Sequence, residues 1–139
     1  MKAYRFRLAT LARVRAAGER SARQGLGRAI GDLGAARGAA TSALGDYRAG
    51  ASVPELSGRQ LESWYEASTR AAASVVACEA RVAEAGVACD AARQRWQVAA
   101  RQVELLERID RRRRLEWRAA AERAERAELE DRPTRRGHP

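Results

Sequence analysis

The sequence has very little of what enzyme and metal sites are usually built from. Its only histidine is His138, and its two cysteines, Cys78 and Cys89, are eleven positions apart. No group of histidine, cysteine and aspartate has the spacing of metal ligands. No nucleophile lies beside a base in the sequence either. We therefore expect no catalytic residue, no metal site and no cofactor.

Aromatic residues are also scarce, at 5% of the chain, which is low for a globular core. No run of eighteen apolar residues occurs, so no membrane span is predicted. The arginine-rich start could be an amphipathic targeting peptide, but its helical period continues past Glu19, and we expect none. Alanine, arginine, glutamate and leucine dominate instead, a composition typical of long helices and coiled coils.

The charge is one-sided, with 27 basic and 18 acidic side chains and a net charge of +9. Such a balance favours acidic partners: nucleic acid, anionic lipid or an acidic protein surface. Four consecutive arginines, Arg111–Arg114, form the most basic short stretch, but on a helix they point in nearly all directions. Asp110 and Glu107 lie four residues before two of them, where helical ion pairs form. No nucleic-acid-binding motif accompanies the run, so nucleic acid is kept only as an alternative partner.

A break near "RAGASVPELSG" divides the chain into two helices. Gly50, Pro54 and Gly58 fall within nine positions, and proline ends a preceding helix. Ser52 or Ser57 could cap the second helix, assisted by Glu55 or Glu62. The prediction is one hairpin over residues 1–130, with helix 1 at about 4–49, a tip at about 50–58 and helix 2 at about 55–129. A disordered tail is expected at 131–139.

Helix 2 carries the strongest pattern in the chain, an apolar residue at alternating steps of three and four. This average of 3.5 residues is the seam period of a left-handed coiled coil. The seam contains Leu61, Trp64, Val75, Cys78, Val82, Cys89, Trp96, Val103 and Leu106, with Ser68 as its only polar member. On helix 1 the same steps predict a stripe of Leu26, Ile30, Leu33, Arg37, Ala40, Leu44 and Tyr47, and Tyr4, Leu8, Leu11 and Val14 form another.

These lengths predict an all-α fold, an antiparallel two-helix coiled-coil hairpin with a longer, projecting second helix. With the fold-back at residue 53, Leu11 should lie near Trp96, and helix 1 should run out near Val103. The alanines and glycines of helix 1 are expected to pack closely against helix 2, because small residues let helix axes approach; a glycine-rich phosphate loop is not expected, because no strand precedes these glycines.

Two segments resemble the FliJ family of flagellar type III export proteins. They are the start "YRFRLATLARVRAAGER" and the far helix "RWQVAARQVELLERIDRRRRLEWRAAAERAERAELED". The resemblance covers nearly the whole chain. It implies a non-catalytic protein that binds the export ATPase, promotes assembly of its ring, and links it to the cytoplasmic domain of the membrane export gate.

The resemblance also implies partner-binding residues. Those for the ATPase would be Arg5, Arg7, Leu8, Leu11, Arg111, Arg112, Arg113, Arg114 and Trp117. Those for the gate would be Leu44 and Tyr47, in "ALGDYRAG". Export substrates or their chaperones are further candidate partners, and the expected location is the cytoplasm, peripheral at the inner face of the cell membrane. Two other hypotheses stay open: a structural coiled-coil scaffold, and a basic coiled coil that binds nucleic acid.

Overall fold

The computed structural model describes residues 2–52 and 55–131. Over these residues the chain is all-α and forms a helical hairpin of two helices, α1 (Ala9–Ala49) and α2 (Gly58–Glu130). This confirms the predicted fold class. The expected helix stop at Pro54 and the tail at 132–139 lie outside the described residues. In the described part, neither helix has an apolar stretch long enough to cross a membrane.

The start of α2 is fixed by hydrogen bonds around Ser57. Its backbone N–H and its hydroxyl both donate to Gln60 Oε1, at 3.1 and 3.0 Å. The Leu61 N–H donates to the Ser57 carbonyl at 2.9 Å. A side chain that returns to the capping residue in this way is half of a capping box. Ser57 is therefore the cap, and Gln60 assists it rather than Glu55 or Glu62.

The end of α1 is held by a tryptophan. The indole Nε1–H of Trp64 donates to the Gly50 carbonyl at 3.0 Å, which satisfies a group left open at the helix end. Gly50 thus lies beside Trp64, so the chain folds back later than the predicted residue 53. Leu61 falls beyond the end of α1, and this is why it is 47% exposed although the heptad pattern placed it on the seam.

The chain divides into two compact units: unit 1 comprises Met1–Glu19 and Ala99–Pro139, and unit 2 comprises Arg20–Val98. In unit 2 the helices are antiparallel: Trp64 near the start of α2 reaches Gly50 just after the end of α1, whereas Arg81 and Ala88, further along α2, share a hollow with Ala29 and Ala36, further back on α1. The predicted α2 seam is the covered side of the helix in this unit: its positions from Trp64 to Trp96 are all buried or half-buried.

The face that α1 presents in unit 2 differs in part from the predicted stripe. Ile30, Arg37 and Tyr47 are exposed, and the alanines one residue before Ile30 and Arg37 are half-buried. The covered positions of α1 in this unit are Ala22, Gly25, Leu26, Ala29, Leu33, Ala36, Ala40, Ala43 and Leu44, so the predicted Leu26, Leu33, Ala40 and Leu44 do lie on the covered side. A side of small residues lets the helix axes approach closely, whereas isoleucine and tyrosine there would hold them apart.

Alanine supplies most of the small residues on this covered side, as the expected alanine-glycine packing requires. A Cβ added at Gly27, Gly31, Gly34 or Gly38 would meet no atom within 4 Å. These four glycines are exposed and Gly25 is half-buried, so the glycine part of the expected packing is wrong at these four positions.

Unit 1 is also antiparallel, with a different register from the predicted one. Arg15 donates from its guanidinium to Gln102 Oε1 at 3.1 Å. Leu11, one turn earlier, therefore lies at the level of Leu106 and not of Trp96. The shift has the same origin as the late fold-back at Trp64. Of the seam residues in this unit, Val103 is half-buried and Leu106 is buried.

Candidate protein-docking surface

The residues before α1 form a non-helical strap, residues 2–8, where the sequence predicted helix. A turn at Arg7 and Leu8 leads into α1, and the Ala9 N–H donates to the Phe6 carbonyl at 3.2 Å. Leu8 stands where a helix cap would be, and leucine has no side-chain oxygen to accept the first helical N–H groups. The strap instead reaches α2: Phe6 lines a hollow with Val103 and Leu106.

Tyr4 fastens the strap to α2 through three interactions. Its hydroxyl donates to Asp110 Oδ1 at 2.7 Å and lies 3.3 Å from the Asp110 carbonyl oxygen. Its ring lies 6.1 Å from that of Trp117 with a 55° tilt, and the Arg114 guanidinium lies 5.4 Å from its centroid. These distances suit tilted aromatic packing and a cation–π contact. The strap therefore contacts α2 as far as Trp117, beyond the predicted end of pairing near Val103, although residues 111–120 stay exposed.

The environment of Tyr4 favours its neutral phenol. Burial raises the pKa of Tyr4 above its ordinary value, and the hydrogen bond to Asp110 and the negative charge of Asp110 raise that pKa further. The charges of Arg114 and Arg113 act in the opposite direction, since a cation stabilises the phenolate. Arg113 thus lies close enough to Tyr4 for its charge to lower the pKa of the phenol.

The arginine run, Arg111–Arg114, is split between paired and unpaired side chains. Arg112 pairs with Glu116 at 3.1 Å, and Arg114 pairs with Asp110 at 3.2 Å. Within the described residues, Arg111 and Arg113 have no ion pair, and both are exposed. Two of the four arginines are therefore paired with carboxylates of their own helix. The other two face solvent without an ion pair in the described part of the chain.

The strap and the first turn of α1 add more positive charge. Arg5, Arg7 and Arg13 line one surface hollow of about 560 Å³ with Phe6, Ala9 and Thr10, and no acidic side chain borders it. We call Arg5, Arg7, Arg13, Arg111 and Arg113 the basic surface. Tyr4 links its two parts, because the tyrosine adjoins Arg5 in the chain and contacts the helix that carries Arg111 and Arg113.

The residues predicted for the ATPase all belong to unit 1, and Tyr4 contacts two of them, Arg114 and Trp117. In unit 1, Leu8 is half-buried, Leu11 is 40% exposed, and Trp117 packs on Tyr4. The two residues predicted for the gate belong to unit 2, where Leu44 is half-buried and Tyr47 is 38% exposed. The sequence analysis did not assign Tyr4, Asp110 or Arg13 to any site. An aromatic residue directly before Arg5, in "KAYRFR", was the available signal for Tyr4.

No family model, no curated protein and no solved structure matches the chain. The resemblance to the FliJ family therefore stays a prediction.

Proposed function

We propose that the protein is a non-catalytic component of the flagellar protein export apparatus, and that it binds the export ATPase through the basic surface of unit 1. The observation that carries the proposal is the contact of Tyr4 with Asp110 and Trp117. It joins the basic strap to the part of α2 that carries the arginine run, and so brings two segments distant in sequence into one unit. A surface with free arginines and an aromatic pair suits an acidic or polar protein surface.

In this proposal the four arginines of the run have two different roles. Arg112 and Arg114 already form ion pairs with carboxylates of α2, so they are less available to a partner protein. Arg111 and Arg113 are free to pair with acidic groups of an ATPase, and this docking should weaken as salt is added. By promoting ring assembly of the ATPase, the protein would support export. It would work in the cytoplasm, peripheral at the inner face of the cell membrane.

The gate-binding part of the proposal rests on Tyr47 in unit 2. An exposed aromatic ring with a half-buried leucine one turn before it, Leu44, can anchor a partner at low entropic cost. In this proposal it contacts the cytoplasmic domain of the export gate, while unit 1 holds the ATPase. Export substrates or their chaperones are further candidates for the same surface.

The test compares two double variants that remove the same charge. Arg111→Gln with Arg113→Gln removes the free charges of unit 1, and Arg81→Gln with Arg93→Gln removes two exposed charges from unit 2. Each exposed contact is worth up to about 0.7 kcal/mol, so the first variant should bind the purified export ATPase roughly tenfold more weakly. Stimulation of ATP hydrolysis and ring assembly should fall in parallel. The unit 2 variant should behave as the parent.

Two results would point to the other functions. Loss of DNA or RNA affinity in the Arg111→Gln, Arg113→Gln variant, with its effect on the ATPase unchanged, would make it a nucleic-acid-binding protein. If the parent protein binds neither the ATPase nor nucleic acid, the remaining hypothesis is a structural coiled-coil scaffold. As a further arm, Tyr47→Ala should weaken binding to the gate's cytoplasmic domain and leave ATPase binding unchanged.

A further inference from the structure

A second apolar pattern runs along α2 in unit 2, outside the seam. Tyr65, Val76, Val87 and Val98 follow one another at intervals of eleven residues, and each is between 53% and 70% exposed. Eleven residues make about three helical turns, so all four lie on one side of the helix. We call these four residues the apolar stripe. The positions between them on that side are Thr69, Ala72, Ala80, Ala83, Ala91 and Gln94.

The stripe is too regular to be a scatter of exposed apolar residues, which soluble proteins normally tolerate. It extends over about 50 Å of helix at 1.5 Å per residue. With the width of a helix, about 10 Å, it presents about 500 Å². Two such surfaces would bury about 1,000 Å², the lower limit of a specific interface.

We propose that the apolar stripe binds the same stripe of a second copy of this chain, with the two α2 helices antiparallel. The spacing is symmetric about the middle of the stripe, between Arg81 and Val82. Tyr65 of one copy then meets Val98 of the other, and Val76 meets Val87, each contact occurring twice. Such self-complementarity is what a two-fold interface between identical chains requires.

The charges at the ends of the stripe favour the antiparallel arrangement. Glu66 and Arg95 border the same edge of the stripe at its opposite ends. An antiparallel pair therefore places Glu66 of each copy opposite Arg95 of the other, whereas a parallel pair puts this edge of the two copies on opposite sides of the interface and forms no such ion pair. Near the middle, Glu84 of each copy lies on the same edge as Glu84 of the other, five residues or about 7.5 Å apart along the helix, and Glu79 does the same on the other edge; these like charges weaken the pairing.

The ends of the stripe also match in shape. Ala91, Gln94, Arg95 and Val98 line a shallow hollow of about 410 Å³. The 68% exposed ring of Tyr65 is the largest side chain of the stripe, and it would enter this hollow of the second copy. An aromatic ring seated in a pocket is the usual anchor of a protein interface.

Sedimentation equilibrium of the full chain over a wide concentration range tests the proposal. The parent chain should form dimers, and Val76→Glu with Val87→Glu should raise the dimer dissociation constant about 30-fold or more, because it places unpaired charge in the interface. Leu115→Glu, at an exposed apolar position of unit 1, is the matched control and should dimerise as the parent does. At chain concentrations below the dimer dissociation constant, circular dichroism melts of all three should agree, since every changed position is exposed in one chain. Above that concentration the parent and Leu115→Glu should melt at a higher temperature than the double variant, because dimerisation stabilises the folded chain.

A charge exchange tests the orientation. Glu66→Arg or Arg95→Glu alone should weaken dimerisation roughly tenfold, since each opposes like charges at both ends. The double variant should recover the parent's dissociation constant. A parent chain that stays monomeric, or glutamates at Val76 and Val87 without effect, would overturn the proposal. Failure of the double exchange to restore dimers would overturn the antiparallel pairing.

Discussion

Replacing Leu106 with alanine should measure how much the hairpin of unit 1 depends on its seam. Leu106 is 8% exposed and borders a hollow lined by Phe6, Ala12, Ala16 and Val103. The substitution removes three buried carbons, worth about 2.4 kcal/mol at about 0.8 kcal/mol each. The hollow is open to solvent and water can enter it, so the loss should stay near that value and well below the 5 kcal/mol of a sealed cavity.

The neighbouring Leu105 provides the control, because it is 58% exposed on the same helix. Both substitutions gain the same helix propensity, so that contribution cancels in the comparison. Leu105→Ala should change stability by no more than about 0.5 kcal/mol. In melts followed by circular dichroism, Leu106→Ala should lower Tm by roughly 8 °C, at 3–4 °C per kcal/mol for a chain of this size. Equal shifts for the two variants would show that α2 does not bury this face.

Two further predictions concern α1 and the strap. Gly27→Ala or Gly34→Ala should stabilise the protein by about 0.5–1 kcal/mol in urea unfolding, since the added Cβ meets open space; destabilisation would mean that these glycines are packed. The Tyr4 phenol has a raised pKa in the folded protein. Its contact is therefore fully present below the ordinary tyrosine pKa and is lost as pH rises through the raised value. In an absorbance titration, Tyr4→Phe should lose tyrosine ionisation from the high-pH end of the parent's curve, and a loss confined to lower pH would refute the contact.

The sequence predicted the covered face of α2 better than that of α1, and the reason is the size of the residues on α1. On α2 the seam keeps its steps of three and four without a break from Trp64 to Leu106, whereas the residues of the apolar stripe recur only every eleven residues, so the heptad steps identify the covered face. On α1, Ala29 and Ile30 are adjacent, and hydrophobicity alone favours Ile30 as the buried residue. The heptad steps that start from Ile30 then include Arg37 instead of the neighbouring Ala36. Packing reverses this choice, because alanine permits a shorter distance between the helix axes. Only the position of the second helix reveals which face is used.

For the candidate docking surface, the sequence predicted the two basic segments but not the contact that joins them. The arginine run and the basic strap are visible in the sequence, and both were assigned to one partner. The contact between Tyr4 and Asp110 depends on the register of the hairpin, and a pairing centre at residue 53 would have placed Asp110 out of reach. Because the register error was about ten residues, no inspection of the pattern near Tyr4 could have corrected it.

The seam of α2 can pack against α1 while the apolar stripe binds a second copy, because the two patterns have different periods. A 3.5-residue period turns backward by about 20° per heptad on a straight helix, while an eleven-residue period turns slightly forward. In unit 2 the stripe therefore begins beside the seam at Tyr65 and lies roughly opposite to it by Val87. The middle of the stripe faces away from α1, so α1 and a second copy can occupy α2 at the same time. A charge at Val87 should thus prevent dimerisation without loosening the hairpin, whereas a charge at Cys89, which is buried on the seam, should unfold the hairpin first.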